Sequence, residues 1–185
     1  MKMIANIRWS GYVCDRTGNE VREMYEKITP ETGDILLSYV NGTLTQIIPG
    51  KWSHTGLIIE GKVIGDTLVN GVCYSTAYDF CINSDGFALV RLKGKLTPVQ
   101  KQGVKDAFKM FEGTSYDFWA DYFDKKAMNC TELVRAVYKE AGIYEFELKR
   151  YLFRHILLPD DIVKNPDFET IYIKEGKNNV KTLQR

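Results

Sequence analysis

Hydrophobic positions along this chain fall into short blocks punctuated by glycine, proline and asparagine. Asp34-Ile35-Leu36-Leu37-Ser38-Tyr39-Val40 is almost continuously apolar and reads as a mostly buried strand. Trp52 to Ile59 reads as a second strand, Glu60-Gly61-Lys62 as a turn, and Val63 to Val69 as the returning partner. Asn70-Gly71 is a further turn signal, and Val72 to Ser75 continues the sheet. Phe87 to Leu92 is another strand, and 3–7 and Thr170 to Ile173 are short ones.

Helical spacing appears elsewhere. Asn19 to Ile28 follows it moderately, after a polar loop at Asp15 to Gly18 and before the break Thr29-Pro30-Glu31-Thr32-Gly33. Short helices are expected at Leu44 to Ile48, after the Asn41-Gly42 turn, and at Ser75 to Ile82. Thr97-Pro98 opens a helix as cap and first position, and it runs to about Phe111. The best helix follows Asn129: Leu133, Val134, Val137, Tyr138 and Ala141 share a face, and Gly142 ends it. Asn129 and Glu132 have the spacing of a capping box. Phe146 to Leu157 reads as a last helix, ended by Leu158-Pro159-Asp160-Asp161, and the polar tail from Lys174 to Arg185 as frayed. These elements predict one α+β domain over 1–185, with an antiparallel sheet.

Composition narrows the functional classes. A chain of 185 residues with formal net charge +1 does not suggest nucleic acid as a partner, because a phosphate-binding surface leaves a basic excess. The four cysteines, Cys14, Cys73, Cys81 and Cys130, include no Cys-x-x-Cys pair, and with two histidines a structural metal site is hard to assemble. No metal or other cofactor is expected. No apolar run approaches the ~20 residues of a transmembrane helix, and the first residues are too short an apolar run for a secretory signal. The expectation is therefore a cytoplasmic protein with reduced thiols.

Cys130 is the residue with chemistry. In the first turn of its helix it meets free backbone N–H groups and the positive end of the helix dipole, which favour the reactive thiolate. The alternative is a small buried residue after a cap. A thiolate hydrolase needs a histidine and a group to orient it. His155 lies in an amphipathic stretch and suits a packing or surface role. His54 begins a strand, and Gly56 just after it lets something approach closely. A three-residue turn at Glu60-Gly61-Lys62 sets Asp66 opposite Gly56, on the same sheet face as His54. A two-residue turn puts them on opposite faces. Asp66 as a surface aspartate, and Glu60 as the competing acid, stay open on this ground. The other three cysteines are assigned to packing.

Five blocks occur in a telling order: Gly33-Asp34-Ile35-Leu36, Trp52-Ser53-His54-Thr55-Gly56-Leu57-Ile58-Ile59, Val63-Ile64-Gly65-Asp66 ahead of Gly71-Val72, Tyr116-Asp117-Phe118, and Asn129-Cys130-Thr131-Glu132-Leu133-Val134. Over roughly 30–142 the chain resembles the circularly permuted papain-like amidases of the NlpC superfamily, particularly the YaeF/YiiX-like branch, and more distantly the lecithin:retinol acyltransferase-like proteins. The resemblance implies a half-barrel-like antiparallel sheet packed on the helix that carries the nucleophile. It implies Cys130 as nucleophile, His54 as base, Asp66 as third member and Tyr116 near the oxyanion. Asp66 stands where the family usually has Glu, which is a departure.

The expected function is a cysteine amidase or peptidase, acting on an amide or ester through an acyl-cysteine, with a small-molecule, peptide or lipid substrate. Aromatic residues Tyr116, Phe118, Trp119, Tyr122 and Phe123 suit either an acyl groove or the core. An acyltransferase, an inactive binding protein and a redox sensor using Cys130 are the alternatives.

Overall fold

The computed structural model describes residues 16–40, 49–117, 127–151 and 153–175. In chain order these form α1 (Arg16–Lys27), β1 (Ile35–Tyr39), β2 (His54–Glu60), β3 (Val63–Leu68), β4 (Gly71–Thr76), α2 (Ala77–Cys81) and β5 (Gly86–Leu92). Then come α3 (Pro98–Phe111), β6 (Ser115–Tyr116), β7 (Ala127–Met128), α4 (Cys130–Glu140), β8 (Lys149–Tyr151), β9 (Arg154–Ile156), α5 (Pro159–Lys164) and β10 (Phe168–Lys174). The expected strand at 3–7, the turn and helix between 41 and 48, Cys14, the aromatic residues at 118–123 and the tail beyond 175 lie outside the described residues.

Six strands build the main sheet in the order β10-β5-β1-β2-β3-β4, each antiparallel to its neighbours. The fold is α+β, as the alternation of strand and helix patterns implied. Both faces are covered, which is why β1 is buried at all five positions and reads as an unbroken apolar run. One face carries Leu37 and Leu57 against Val104 and Phe108 of α3 and Leu133 and Val137 of α4. The other carries Leu36 and Ile58 against Val21 and Met24 of α1 and Phe80 of α2. Each such side chain, buried in full, stabilises the fold by about 1.5–3 kcal/mol before entropy is counted.

The Gly33-Asp34 block has a structural task. Arg91 on β5 donates through Nε and Nη2, both at 2.7 Å, to the two oxygens of buried Asp34, and the Glu31 N–H also donates to Asp34 at 2.7 Å. Burial pushes the Asp34 carboxyl up, and these bonds oppose that shift. The Tyr138 hydroxyl donates to the Gly33 carbonyl, which ties α4 to the start of β1.

Three sequence expectations are corrected. The loop at Asp15 to Gly18 is already helix from Arg16. Phe146 to Leu157 is not a helix; β8 and β9 pair as a hairpin in its place. A helix would hold Phe146 and Leu157 roughly 16 Å apart along its axis. The hairpin brings both back to one core, where they are 2 % and 3 % exposed. Leu158-Pro159-Asp160-Asp161 does not end a helix but begins α5, with Pro159 in its first turn and the Leu158 N–H donating to Asp161 at 3.0 Å. His155 is exposed on β9, which fits the surface role.

Candidate active site

The hairpin of β2 and β3 decides which side chains can meet. Its turn is the two-residue Gly61-Lys62, with Glu60 paired to Val63 and Gly61 at φ +55°. That turn alone would set Asp66 on the face opposite His54. The register then shifts between Ile58 and Glu60, so Ile59 is an extra residue, and Ile58 pairs with Ile64 and Leu57 with Gly65. The bulge restores the parity that a three-residue turn would have produced. The His54 Nε2 lies 2.8 Å from Asp66 Oδ1.

Asp66 is almost fully buried and is oriented by further donors: its neighbour's N–H, from Thr67, at 2.7 Å to Oδ1, and the Ser75 hydroxyl at 3.4 Å to Oδ2. The His54 ring stacks on Phe80, with centroids 4.9 Å apart and planes 20° from parallel. Gly56 makes room for this: a Cβ there would stand 2.7 Å from both Ile64 Cγ2 and Phe80 Cε2. Phe80 is the close approach that the glycine foreshadowed.

The strand start before His54 is anchored from far along the chain. Asp160 of α5 accepts the Lys51 and Trp52 N–H groups on one oxygen, Oδ2, both at 2.8 Å. The Ser53 N–H donates to the Ser38 carbonyl at 3.0 Å, and buried Trp52 packs edge-on to Tyr39. Residue 50 must be glycine twice over, since its φ is +119° and a Cβ would overlap the Asp160 carboxylate.

α4 packs against β2 and β3 and brings Cys130 to this corner. The Asn129 side chain accepts from the N–H groups of Thr131 and Glu132 at 3.1 and 3.0 Å, and Glu132 accepts the Asn129 N–H at 2.7 Å. This is the capping box that the sequence spacing announced, and it leaves the Cys130 N–H outside the cap. Pairing of β2 with β3 ends at Leu57 and Gly65, although both strands run on. Beyond that point Thr55 comes near enough to α4 for its N–H and hydroxyl to help hold the Cys130 thiol down.

The electrostatics form a coupled pair. Burial disfavours the imidazolium of His54, but hydrogen bonds to Asp66 and to Cys130 more than offset it and carry the ring up to about 10. Burial likewise raises the Cys130 thiol; the hydrogen bond and charge of His54, with Thr55, prevail and hold it below its ordinary value. With Nε2 committed to Asp66, Nδ1 is the nitrogen left for the sulfur. Tyr116 pairs with Met128 through β6 and β7. Burial raises its hydroxyl first, and the Cys130 charge second, so it lies within electrostatic reach of the thiol.

Cys73 and Cys81 are perturbed the other way. Burial raises both, with the Asp66 carboxylate adding to each, and Cys81 is 1 % exposed. Among the described residues no group of three or more His, Cys, Asp or Glu is arranged to hold a metal ion, and no helix is long and apolar enough to cross a membrane.

A family model described as permuted papain-like amidase enzyme, YaeF/YiiX, C92 family, matches residues 29–172. The chain belongs to this family. The C92 fold is also seen in the solved structure described as metalloprotein yiiX from Escherichia coli O157:H7, which is similar to this chain with a TM-score of 0.69 at 20% identity. The similarity covers 80% of this chain and 99% of that one. No curated protein matches the chain closely enough to count as a relative. The family is one of permuted papain-like amidases, which supports a cysteine hydrolase at family level. Sequence reasoning had given no role at the site to Phe80, Thr55 or Asp160. Gly56 hinted at the first, and adjacency to His54 at the second; nothing in the sequence pointed from Asp160 to position 51.

Proposed function

We propose that this chain is a cysteine hydrolase that opens an amide or ester bond through an acyl group on Cys130. The observation that carries the reading is the His54 ring, bonded at 2.8 Å to a buried carboxylate on one side and to the Cys130 thiol on the other. The Cys130 thiolate attacks the carbonyl carbon, and the new C–S bond pushes the electron pair onto oxygen. The Cys130 N–H at the mouth of α4 stabilises that oxyanion, with Tyr116 near it. The tetrahedral species collapses by breaking the C–N or C–O bond, and the leaving group takes the proton from His54 Nδ1. Water then gives its proton to His54 and attacks the acyl carbon, and the thiolate departs.

Asp66 keeps the ring in the orientation that turns Nδ1 to the sulfur and stabilises the imidazolium between the two steps. A peptide amide, a lipid amide and an ester are all open to this chemistry. A thiol-directed acylating probe read by mass spectrometry tests it. The adduct is expected on Cys130 and to form at least about 100-fold more slowly in His54→Ala, the scale of a lost general base. Undiminished acylation in His54→Ala refutes the reading.

A further inference from the structure

Thr55 is 0 % exposed, and its hydroxyl makes no well-formed hydrogen bond. An orphan hydroxyl at such depth is a cost to folding, and an isosteric valine would remove it. Four features say where the donors of this residue are aimed. Thr55 shares the parity of Leu57, whose side chain lies in the core built on α3 and α4. α4 packs against β2. The register pairing of β2 with β3 stops before Thr55. The Ile58 N–H bonds to the Asp34 carbonyl on β1, and the alternation along β2 turns the Thr55 N–H away from β1 as well. Both donors of this residue are thereby turned toward the first turn of α4, where Cys130 lies and where Thr55 acts on its thiol.

We propose that Thr55 is a further catalytic residue, whose hydroxyl turns onto the Cys130 sulfur and donates a hydrogen bond to it when the thiolate forms. His54 and Thr55, adjacent in sequence and on opposite faces of β2, then grip the sulfur from two sides. The imidazolium balances its charge, and the hydroxyl supplies a neutral donor that does not titrate near neutrality. A protonated thiol is a weak acceptor and leaves the hydroxyl unsatisfied; the thiolate is the partner that satisfies it.

This rests on the reading of Cys130 as a thiolate nucleophile, and the experiment separates the two. Alkylation of Cys130 by iodoacetamide is followed by peptide mass spectrometry from pH 4 to 10 in the wild type, Thr55→Val, Thr55→Ser and His54→Ala, with melting temperatures for each. In Thr55→Val the midpoint of the rate profile is expected to rise by about one pH unit, and alkylation below it to slow about tenfold, the weight of one hydrogen bond to a charged group. At pH values below that midpoint, where the sulfur is protonated, its melting temperature is expected to equal or exceed that of the wild type, because no other bond is lost there. Thr55→Ser is expected to stay within about twofold of the wild type, since it keeps the donor.

An unmoved profile in Thr55→Val overturns the proposal. So does a slowed profile that accompanies a lowered melting temperature and is not rescued by serine, for that is packing damage. A profile sensitive to His54→Ala but not to Thr55→Val sinks only the role of Thr55. A profile insensitive to both sinks the thiolate reading beneath it.

Discussion

Replacing Asp66 by Asn removes a charge and keeps most of the shape. The amide oxygen can accept from the His54 ring and from the Thr67 N–H, which now reach Oδ1 at 2.8 and 2.7 Å. The amide nitrogen then faces the Ser75 hydroxyl, which can turn from donor to acceptor. What is lost is the charged acceptor, and a hydrogen bond to a charged group contributes roughly 1.5–3 kcal/mol. At 1.36 kcal/mol per unit this lowers the His54 pKa by roughly one to two units, from about 10 to roughly 8–9.

The assay is acylation of Cys130 by an amide probe whose amine must leave protonated, across pH 5 to 10.5. The rate is bell-shaped: the acid limb follows formation of the thiolate–imidazolium pair, and the alkaline limb follows its loss at the ring. In Asp66→Asn the alkaline limb moves down by roughly one to two units. Stability shifts with the same sign. A raised histidine contributes stability that is complete below about 6.5 and is lost as pH rises through about 10 in the wild type. In the variant it is lost through roughly 8–9, so the two proteins converge in melting temperature at high pH. Superimposable alkaline limbs in two folded proteins refute the claim that the carboxylate sets the charge state of His54.

Gly56→Ala forces a Cβ to 2.7 Å from Ile64 Cγ2 and Phe80 Cε2 and is expected to cost about 1–3 kcal/mol in urea unfolding, with slower Cys130 alkylation as the ring stack is pushed aside. Asn129→Ala removes the acceptor for two N–H groups at the start of α4 and is expected to cost about 1–2 kcal/mol, read as a lowered urea midpoint. Asp160→Ala orphans the Lys51 and Trp52 N–H groups at once and is expected to cost roughly 2–6 kcal/mol in the same assay, at about 1–3 for each unmet donor; a change under 1 kcal/mol would show that water replaces the carboxylate. Alkylation of the folded protein at pH 7 is expected to rank Cys130 well above Cys73, and Cys73 above the more deeply buried Cys81, because of these three only Cys130 is shifted toward the thiolate. A Cys81 as fast as Cys130 contradicts that order.

Elements built from neighbours in sequence were legible before any coordinates. The Thr97-Pro98 start of α3 and the capping box around Asn129 involve residues within three positions of one another, so their physics is complete in a short window. The apolar runs of β1, β2 and β5 likewise declare their own burial. The segment 146–157 misled because Tyr, Leu, Phe and Ile at that spacing fit an amphipathic helix, while the need to return Phe146 and Leu157 to one core is a long-range demand. The same holds for the site. The sequence by itself determined which residue types could do thiol chemistry, and put Cys130 at a helix start and His54 at a strand start. Only the tertiary structure decided whether His54 and Asp66 share a face, because parity along a strand reverses with a single residue, and one bulge at Ile59 is that residue. It alone also supplied the supports that come from afar, Phe80 under the ring and Asp160 under the strand start, since nothing local in a chain encodes contacts between residues so far apart in sequence.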